Sequence, residues 1–257
     1  MKSKIFSLEG RVIALTGGYG WLGAAIANGL ASHGGRVFVL GRNRDRFEAT
    51  LGDQSAHFVE CDVKESQSIE AAFATVVKIA GGLDVVINNA FYGRGLDPEA
   101  ISDDDWAYSL DGTLGTVHRG IRASIPHLKK QRDSRIINVA SIYGLVAPNF
   151  SIYDNCPQQR SPPHYGAAKA AVIQITRYYA SLLGPYGINV NCVTPGAFPS
   201  KDSQANAEFV AALGAKTPLG RIGRPEELQG AFVFLSSRAA SYVTGHNLVV
   251  DGGWTAW

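Results

Sequence analysis

The sequence predicts one α/β domain, a doubly wound parallel sheet of about seven strands with helices on both faces, and three observations lead there. Short runs rich in Val and Ile recur with helix-patterned stretches between them, the rhythm of a parallel sheet buried on both sides. A length of 257 residues suits one large core of that kind across residues 1–257. Glycine is in excess, 29 residues, with no Gly-X-Y period, so the excess belongs to individual turns.

The elements follow in order. The first strand is expected at 12–16, and helical periodicity runs from Leu22 to about 33. Apolar runs at 36–40 and 57–61 give the next two strands, and a helix follows at 67–80, with Ser66 and Ser68 as candidate N-caps. The run at 85–88 is the fourth strand; a helix at 103–130 then leads to the fifth at 135–139. Helical periodicity returns at 165–183 and 225–236, with strands at 189–193 and 247–250. The stretch PNFSIYDNCPQQRSPPH carries four prolines and little apolar periodicity. Residues 147–164 therefore read as an extended surface loop inside the domain, not as a linker.

Composition excludes several classes. Twenty-four basic residues stand against 22 acidic ones, a net +2 with no basic cluster, which argues against binding nucleic acid through its phosphates. Cys61, Cys156 and Cys192 are widely spaced with no Cys-x-x-Cys, and a reducing cytoplasm is the expected home. The first ten residues lack a signal-peptide core, and no apolar run reaches the ~20 residues that span a bilayer. Histidines at 33, 57, 118, 127, 164 and 246 show no metal-ligand spacing, so no metal is expected.

The chemistry-bearing motifs fall at strand ends. After the first strand, Thr16-Gly17-Gly18-Tyr19-Gly20-Trp21-Leu22-Gly23 runs into a helix, a turn that can bring main-chain N–H groups and a helix N-terminus to a pyrophosphate. Arg42 stands at the end of the second strand, where an acidic residue would bind the adenosine ribose. A guanidinium there offers a grip on a 2′-phosphate, which favours NADP(H), with NAD(H) as the alternative. Asp62-Val63 and Asn88-Asn89-Ala90 end the third and fourth strands, Ser141 follows the fifth, and Pro195-Gly196 follows the sixth. Tyr165 and Lys169 are four apart on one helix face. A lysine charge near a phenol favours the phenolate, bringing a base of ordinary pKa ~10 toward the working range.

Together these motifs and the closing Val250-Asp251-Gly252-Gly253 resemble the short-chain dehydrogenase/reductase family over nearly the whole chain. Within it, Ser141-Ile142-Tyr143-Gly144, the extended loop and the ending Asp251-Gly252-Gly253-Trp254-Thr255-Ala256-Trp257 look most like gluconate-5-dehydrogenase-like and other sugar-modifying members. The resemblance implies a Rossmann-like oxidoreductase, commonly a homotetramer, that interconverts a secondary alcohol and a ketone. It makes Tyr165 the general acid/base, Ser141 the residue that positions the reacting oxygen, and Lys169 the residue that binds the nicotinamide ribose and lowers the tyrosine pKa. Gly17, Tyr19, Trp21, Leu22, Arg42, Asp62, Val63, Asn89 and Ala90 would line the adenosine and pyrophosphate path, with Pro195, Gly196 and Phe198 near the nicotinamide. Ser200 stands where the family often has a threonine contacting the nicotinamide amide.

Three departures stand out. Trp21 occupies a position usually held by glycine and is expected to point away from the pyrophosphate. Many relatives carry a relay asparagine in the central helix; counting back from Gly115 puts Gly112 there, beside Asp111, and leaves the fourth catalytic residue unassigned. Ser141 and Tyr165 are 24 apart, about twice the usual separation, and the loop absorbs the difference. Such an insertion begins and ends beside the site, so its donors and acceptors, Tyr153, Arg160 and His164 foremost, are candidate substrate residues with Phe91 and Arg94. They suit a sugar, a sugar acid or another polyhydroxylated compound. A nucleotide-sugar epimerase or dehydratase, and a non-catalytic dinucleotide-binding sensor, are the rival readings. Trp254 and Trp257 are expected to be packed, with a neighbouring subunit as one candidate surface.

Overall fold

The computed structural model describes residues 4–52 and 56–256. Seven parallel strands form one sheet in the order β3-β2-β1-β4-β5-β6-β7. They are β1 Val12–Thr16, β2 Arg36–Gly41, β3 His57–Glu60, β4 Val85–Asn88, β5 Ser134–Val139, β6 Ile188–Pro195 and β7 Asn247–Val250. Alternation along a strand feeds two cores: Val12 and Ala14 join one, Ile13 and Leu15 the other. Helices α3 (Ser66–Ala80), α5 (Thr116–Leu128) and α6 (Pro163–Leu183) cover the first core through Phe73, Ile121 and Val172. Helices α1 (Trp21–Ser32), α2 (Arg44–Leu51) and α8 (Gln229–Ser236) cover the second through Ile26, Phe47 and Phe232. Strand order reverses between β1 and β4, and that switch point opens a crevice at the carboxyl ends of the strands. No described helix is long and apolar enough to cross a membrane.

The remaining helices refine the sequence reading. The expected helix 103–130 is α4 (Asp103–Leu110), a π turn at Asp111–Gly115, and α5. Helices α2 and α7 (Ala207–Gly214) appear where no periodicity announces them, and residues 225–236 open as a 3₁₀ turn, Pro225–Leu228, before α8. Neither Ser66 nor Ser68 caps α3: the N-cap is Glu65, and Ser68 Oγ instead accepts the Asp62 N–H at 2.9 Å.

The expected surface loop at 147–164 is only partly a surface. Two 3₁₀ turns, Phe150–Tyr153 and Pro157–Gln159, fold it inward. Ile152, Tyr153 and Cys156 are buried in a satellite cluster with Phe209, Leu213 and Trp254. Trp254 thus packs within its own chain, while Trp257 lies outside the described residues. A buried amide ladder holds α6 to the sheet. Asn88 Nδ2 donates to Asn138 Oδ1 at 2.8 Å, and Asn138 Nδ2 donates to Thr176 Oγ1 of α6 at 2.9 Å.

Candidate active site

The switch-point crevice is a cleft of about 500 Å³. Its rim is stitched by Thr16, whose Oγ1 accepts the N–H groups of Asn89 and Ala90, each at 3.0 Å. Asn89 Nδ2 donates to the carbonyls of Thr16 and Gly17 at 3.0 and 3.2 Å and so holds the glycine-rich turn against the end of β4. Gly17, Tyr19, Trp21 and Leu22 line the cleft here. Trp21 is the first residue of α1, 39% exposed, and is among the residues at the cleft. A helical first position needs no glycine, and Gly20 takes the N-cap. The first turn of α1 carries no acidic side chain, so its free N–H groups and dipole favour an anion.

At the end of β2, Tyr19 folds over the strand. Its hydroxyl accepts the N–H groups of Arg42 and Asn43 at 3.0 and 3.2 Å. Its ring explains Gly41, because a Cβ there would lie 2.4 Å from a ring carbon. Arg42 lines the cleft with its guanidinium 3.9 Å from Asp62. Arg46 lines it too, 6.0 Å over the Tyr19 ring. Sequence reasoning missed Arg46 because it missed α2; the signal was its position four residues after Arg42. Asp62, Val63, Asn89 and Ala90 complete this half.

The other half holds Ser141, Tyr165 and Lys169, with Pro195, Gly196, Phe198 and Ser200 opposite. Ser141 is the extended residue between β5 and a short 3₁₀ turn, Ile142–Gly144. Pro163 at the start of α6 fixes the backbone for a helix, and Tyr165 and Lys169 lie one turn apart on it. Lys169 Nζ donates to the Val139 carbonyl at 2.6 Å. It sits 5.5 Å from the Tyr165 ring centre and 5.6 Å from that of Phe91. Phe91 leans over Tyr165 with ring centres 5.8 Å apart.

Burial dominates the electrostatics of this pair. Burial pushes Tyr165 above the ordinary tyrosine range, against a downward pull from the Ser141 hydroxyl. Burial also pushes Lys169 down to about 8. Lys169 is buried and Tyr165 half-buried at the cleft wall, and each neutral form gains from the lost water.

Asp111 and Gly112 of the central helix are both tightly enclosed by neighbours. Asp111 neither points at the Tyr165/Lys169 pair as a relay nor faces solvent unpartnered. Its carboxylate takes Arg119 through two nitrogens, at 2.7 and 3.0 Å, and accepts the Tyr92 hydroxyl. These partners hold it below the usual carboxylate range. At Gly112 a Cβ would lie 2.0 Å from the Tyr92 carbonyl oxygen, so the backbone excludes any side chain.

Of the five expected substrate residues, Phe91 lines the cleft and four do not. Arg94 turns to Asp105, Nε to Oδ1 at 2.5 Å, over the Tyr108 ring. Tyr153 is 2% exposed, packed on Phe209. Arg160 lies over Phe150 at 5.7 Å. His164 is 3% exposed, with Nε2 3.0 Å from the Gly95 carbonyl and its ring edge-on to Trp106. The satellite cluster draws Tyr153 inward, while His164 is held by Gly95 and Trp106.

Comparison with known proteins agrees with this geometry. The family model described as enoyl-(acyl carrier protein) reductase matches residues 21–255. A 3-oxoacyl-(acyl-carrier-protein) reductase of Vibrio cholerae is 33% identical over 96% of this chain and 98% of its own. The gluconate 5-dehydrogenase of Gluconobacter oxydans is 32% identical over 98% of this chain and 97% of its own. Among solved structures, a gluconate 5-dehydrogenase from Burkholderia cenocepacia in complex with NADP and tartrate superposes with a TM-score of 0.88 at 29% identity, covering 99% of this chain and 98% of that one.

Proposed function

The chain belongs to the short-chain dehydrogenase/reductase family, and on that footing we propose that it interconverts a secondary alcohol and a ketone, using NADP(H) in preference to NAD(H). The observation that carries the reading is that Ser141, Tyr165 and Lys169 share one cleft with the α1 N-terminus and with Arg42 and Arg46. The donor set suits the dinucleotide: N–H groups and a helix dipole for the pyrophosphate, and two guanidiniums beside the strand end where a 2′-phosphate would sit. A bound NADP(H) would accept or supply the hydride. Tyr165 takes the hydroxyl proton in oxidation and returns it in reduction, and Ser141 Oγ donates to the same substrate oxygen. Lys169, anchored on Val139, would hold the nicotinamide ribose with its remaining hydrogens.

For the substrate we propose a polyhydroxylated compound such as a sugar acid. The gluconate 5-dehydrogenase relatives support this, the structure in complex with NADP and tartrate among them. A 3-oxoacyl substrate is the second reading, favoured by exposed Phe91 over Tyr165 and by exposed Leu145 and Val146 just after the Ser141 turn. A cytoplasmic homotetramer is the proposed state of the protein. Exposed Tyr178 and Leu182 on α6 support self-association.

The test is absorbance at the reduced-nicotinamide band with both cofactors and a panel of aldonates, sugars, polyols and 3-oxoacyl thioesters. Turnover of an aldonate or ketoaldonate with NADP(H) is expected. Turnover confined to the thioesters would replace the first substrate reading with the second, and no turnover at all would leave the dinucleotide-binding sensor.

A further inference from the structure

Tyr153 stands midway in the insertion between Ser141 and Tyr165, yet it reaches neither the cleft wall nor solvent. Its ring packs on Phe209 in the satellite cluster. Among the described residues its hydroxyl meets one partner, the hydroxyl of Tyr143, at 2.5 Å. Burial raises both phenols and keeps them neutral; the contact pushes Tyr143 further up, well above the ordinary range, and pulls Tyr153 partly back. One hydroxyl therefore donates to the other, and removing either leaves its partner buried without that bond.

Tyr143 is the second residue after Ser141 and is tied to the reacting groups through its backbone. Its N–H donates to Ser141 Oγ at 3.3 Å. Its carbonyl faces the first turn of α6 so closely that a Cβ on Gly166, the neighbour of Tyr165, would lie 2.9 Å away. A three-residue 3₁₀ turn, Ile142–Gly144, has little structure of its own to hold such an orientation. The Tyr153 hydroxyl fixes its one long polar side chain from the far side.

We infer that Tyr153 is a positioning residue: through the Tyr143 hydroxyl it locks the turn that aims Ser141 Oγ at the substrate oxygen beside Tyr165. The inference rests on the roles given to Ser141 and Tyr165 above. It assigns the insertion a task in catalysis different from lining the substrate pocket. Small misplacements of an orienting group are costly, because aligned geometry supplies much of the rate.

The experiment compares Tyr153→Phe, Tyr143→Phe and the double variant, with Phe209→Leu as a packing control in the same cluster. Each single tyrosine variant should lower kcat about tenfold with KM and the NADPH dissociation constant within about twofold. The double variant should fall no further than either single, since both remove the same bond. Phe209→Leu should lower the melting temperature and leave kcat unchanged. A Tyr153→Phe kcat within twofold of wild type, multiplicative losses in the double variant, or an equal kcat loss in Phe209→Leu would each overturn the inference. An active wild type with an unaffected Tyr153→Phe overturns this inference alone; a wild type without turnover on any ketone or alcohol overturns the reaction reading with it.

Discussion

Lys169 Nζ lies 2.6 Å from the carbonyl oxygen of Val139, the last residue of β5. The contact ties α6 to the strand whose next turn carries Ser141. It also fixes the ammonium in a buried place, where its pKa falls from 10.5 to about 8.

That shift predicts a pH-dependent stability term. The folded pKa lies below the unfolded one, so between about 8 and 10.5 the unfolded chain binds more protons and stability from this group rises with pH. The term is largest above the unfolded value, is lost as pH falls through the folded one, and is flat below that; its full size is on the order of 3 kcal/mol. Half-buried Tyr165 and Tyr143, raised instead, act in the opposite sense as pH rises, so the wild type alone does not isolate it. Urea denaturation of wild type and Lys169→Met from pH 7.5 to 10 should show the wild type gaining on the variant. A pH-independent difference would contradict the buried-cation account.

Tyr165→Phe removes one oxygen and keeps the ring that faces Phe91. Turnover should fall by about 10²–10⁴-fold, the usual contribution of a positioned acid/base. NADPH binding, read by fluorescence titration, and the melting temperature should stay near wild type. Residual turnover above a tenth of wild type would show that another group carries the proton.

The fold was legible where the sequence signal is local. Val- and Ile-rich strands and the turn residues after them specify both the sheet and the cleft, because a strand end is fixed once its strand is. Helix α2 was not legible: among its eight residues only Phe47 is buried, too little to make a period. The π turn at Asp111–Gly115 was hidden for a related reason, since one wider turn leaves the surrounding helical pattern intact. Substrate residues fared worst. Tyr153 and His164 are polar types that a loop would be expected to expose, and only tertiary packing with Phe209 and Trp106 turns them inward.

Cofactor choice should depend on Arg42. The Tyr19 hydroxyl already takes the main-chain N–H groups of Arg42 and Asn43, which leaves the side chains of Arg42 and Arg46 to read a 2′-phosphate. Loss of a charge-assisted contact is worth about 1.5–3 kcal/mol, or roughly 10–100-fold in affinity. Arg42→Ala should weaken NADPH by that factor and NADH by less than about threefold, measured by nucleotide fluorescence. Equal weakening of both would mean that Arg42 supports the fold of the turn and does not read the phosphate.

An asparagine at position 112 should harm this protein. Tyr92 donates its N–H to the Gly112 carbonyl at 3.2 Å and its hydroxyl to Asp111, so the segment after β4 is clamped onto the π turn. A side chain at 112 would have to displace the Tyr92 carbonyl, 2.0 Å from the Cβ position. Overpacking of this kind costs about 1–3 kcal/mol, a fall of roughly 2–4 °C in Tm per kcal/mol for a chain near this size. Gly112→Asn is therefore expected to melt several degrees lower and to turn over no faster than wild type. Phe91 leads directly into Tyr92, so the displaced carbonyl should also disturb the ring over Tyr165 and raise KM. A variant that melts like wild type and has a higher kcat would show that residue 112 can serve as the relay position after all.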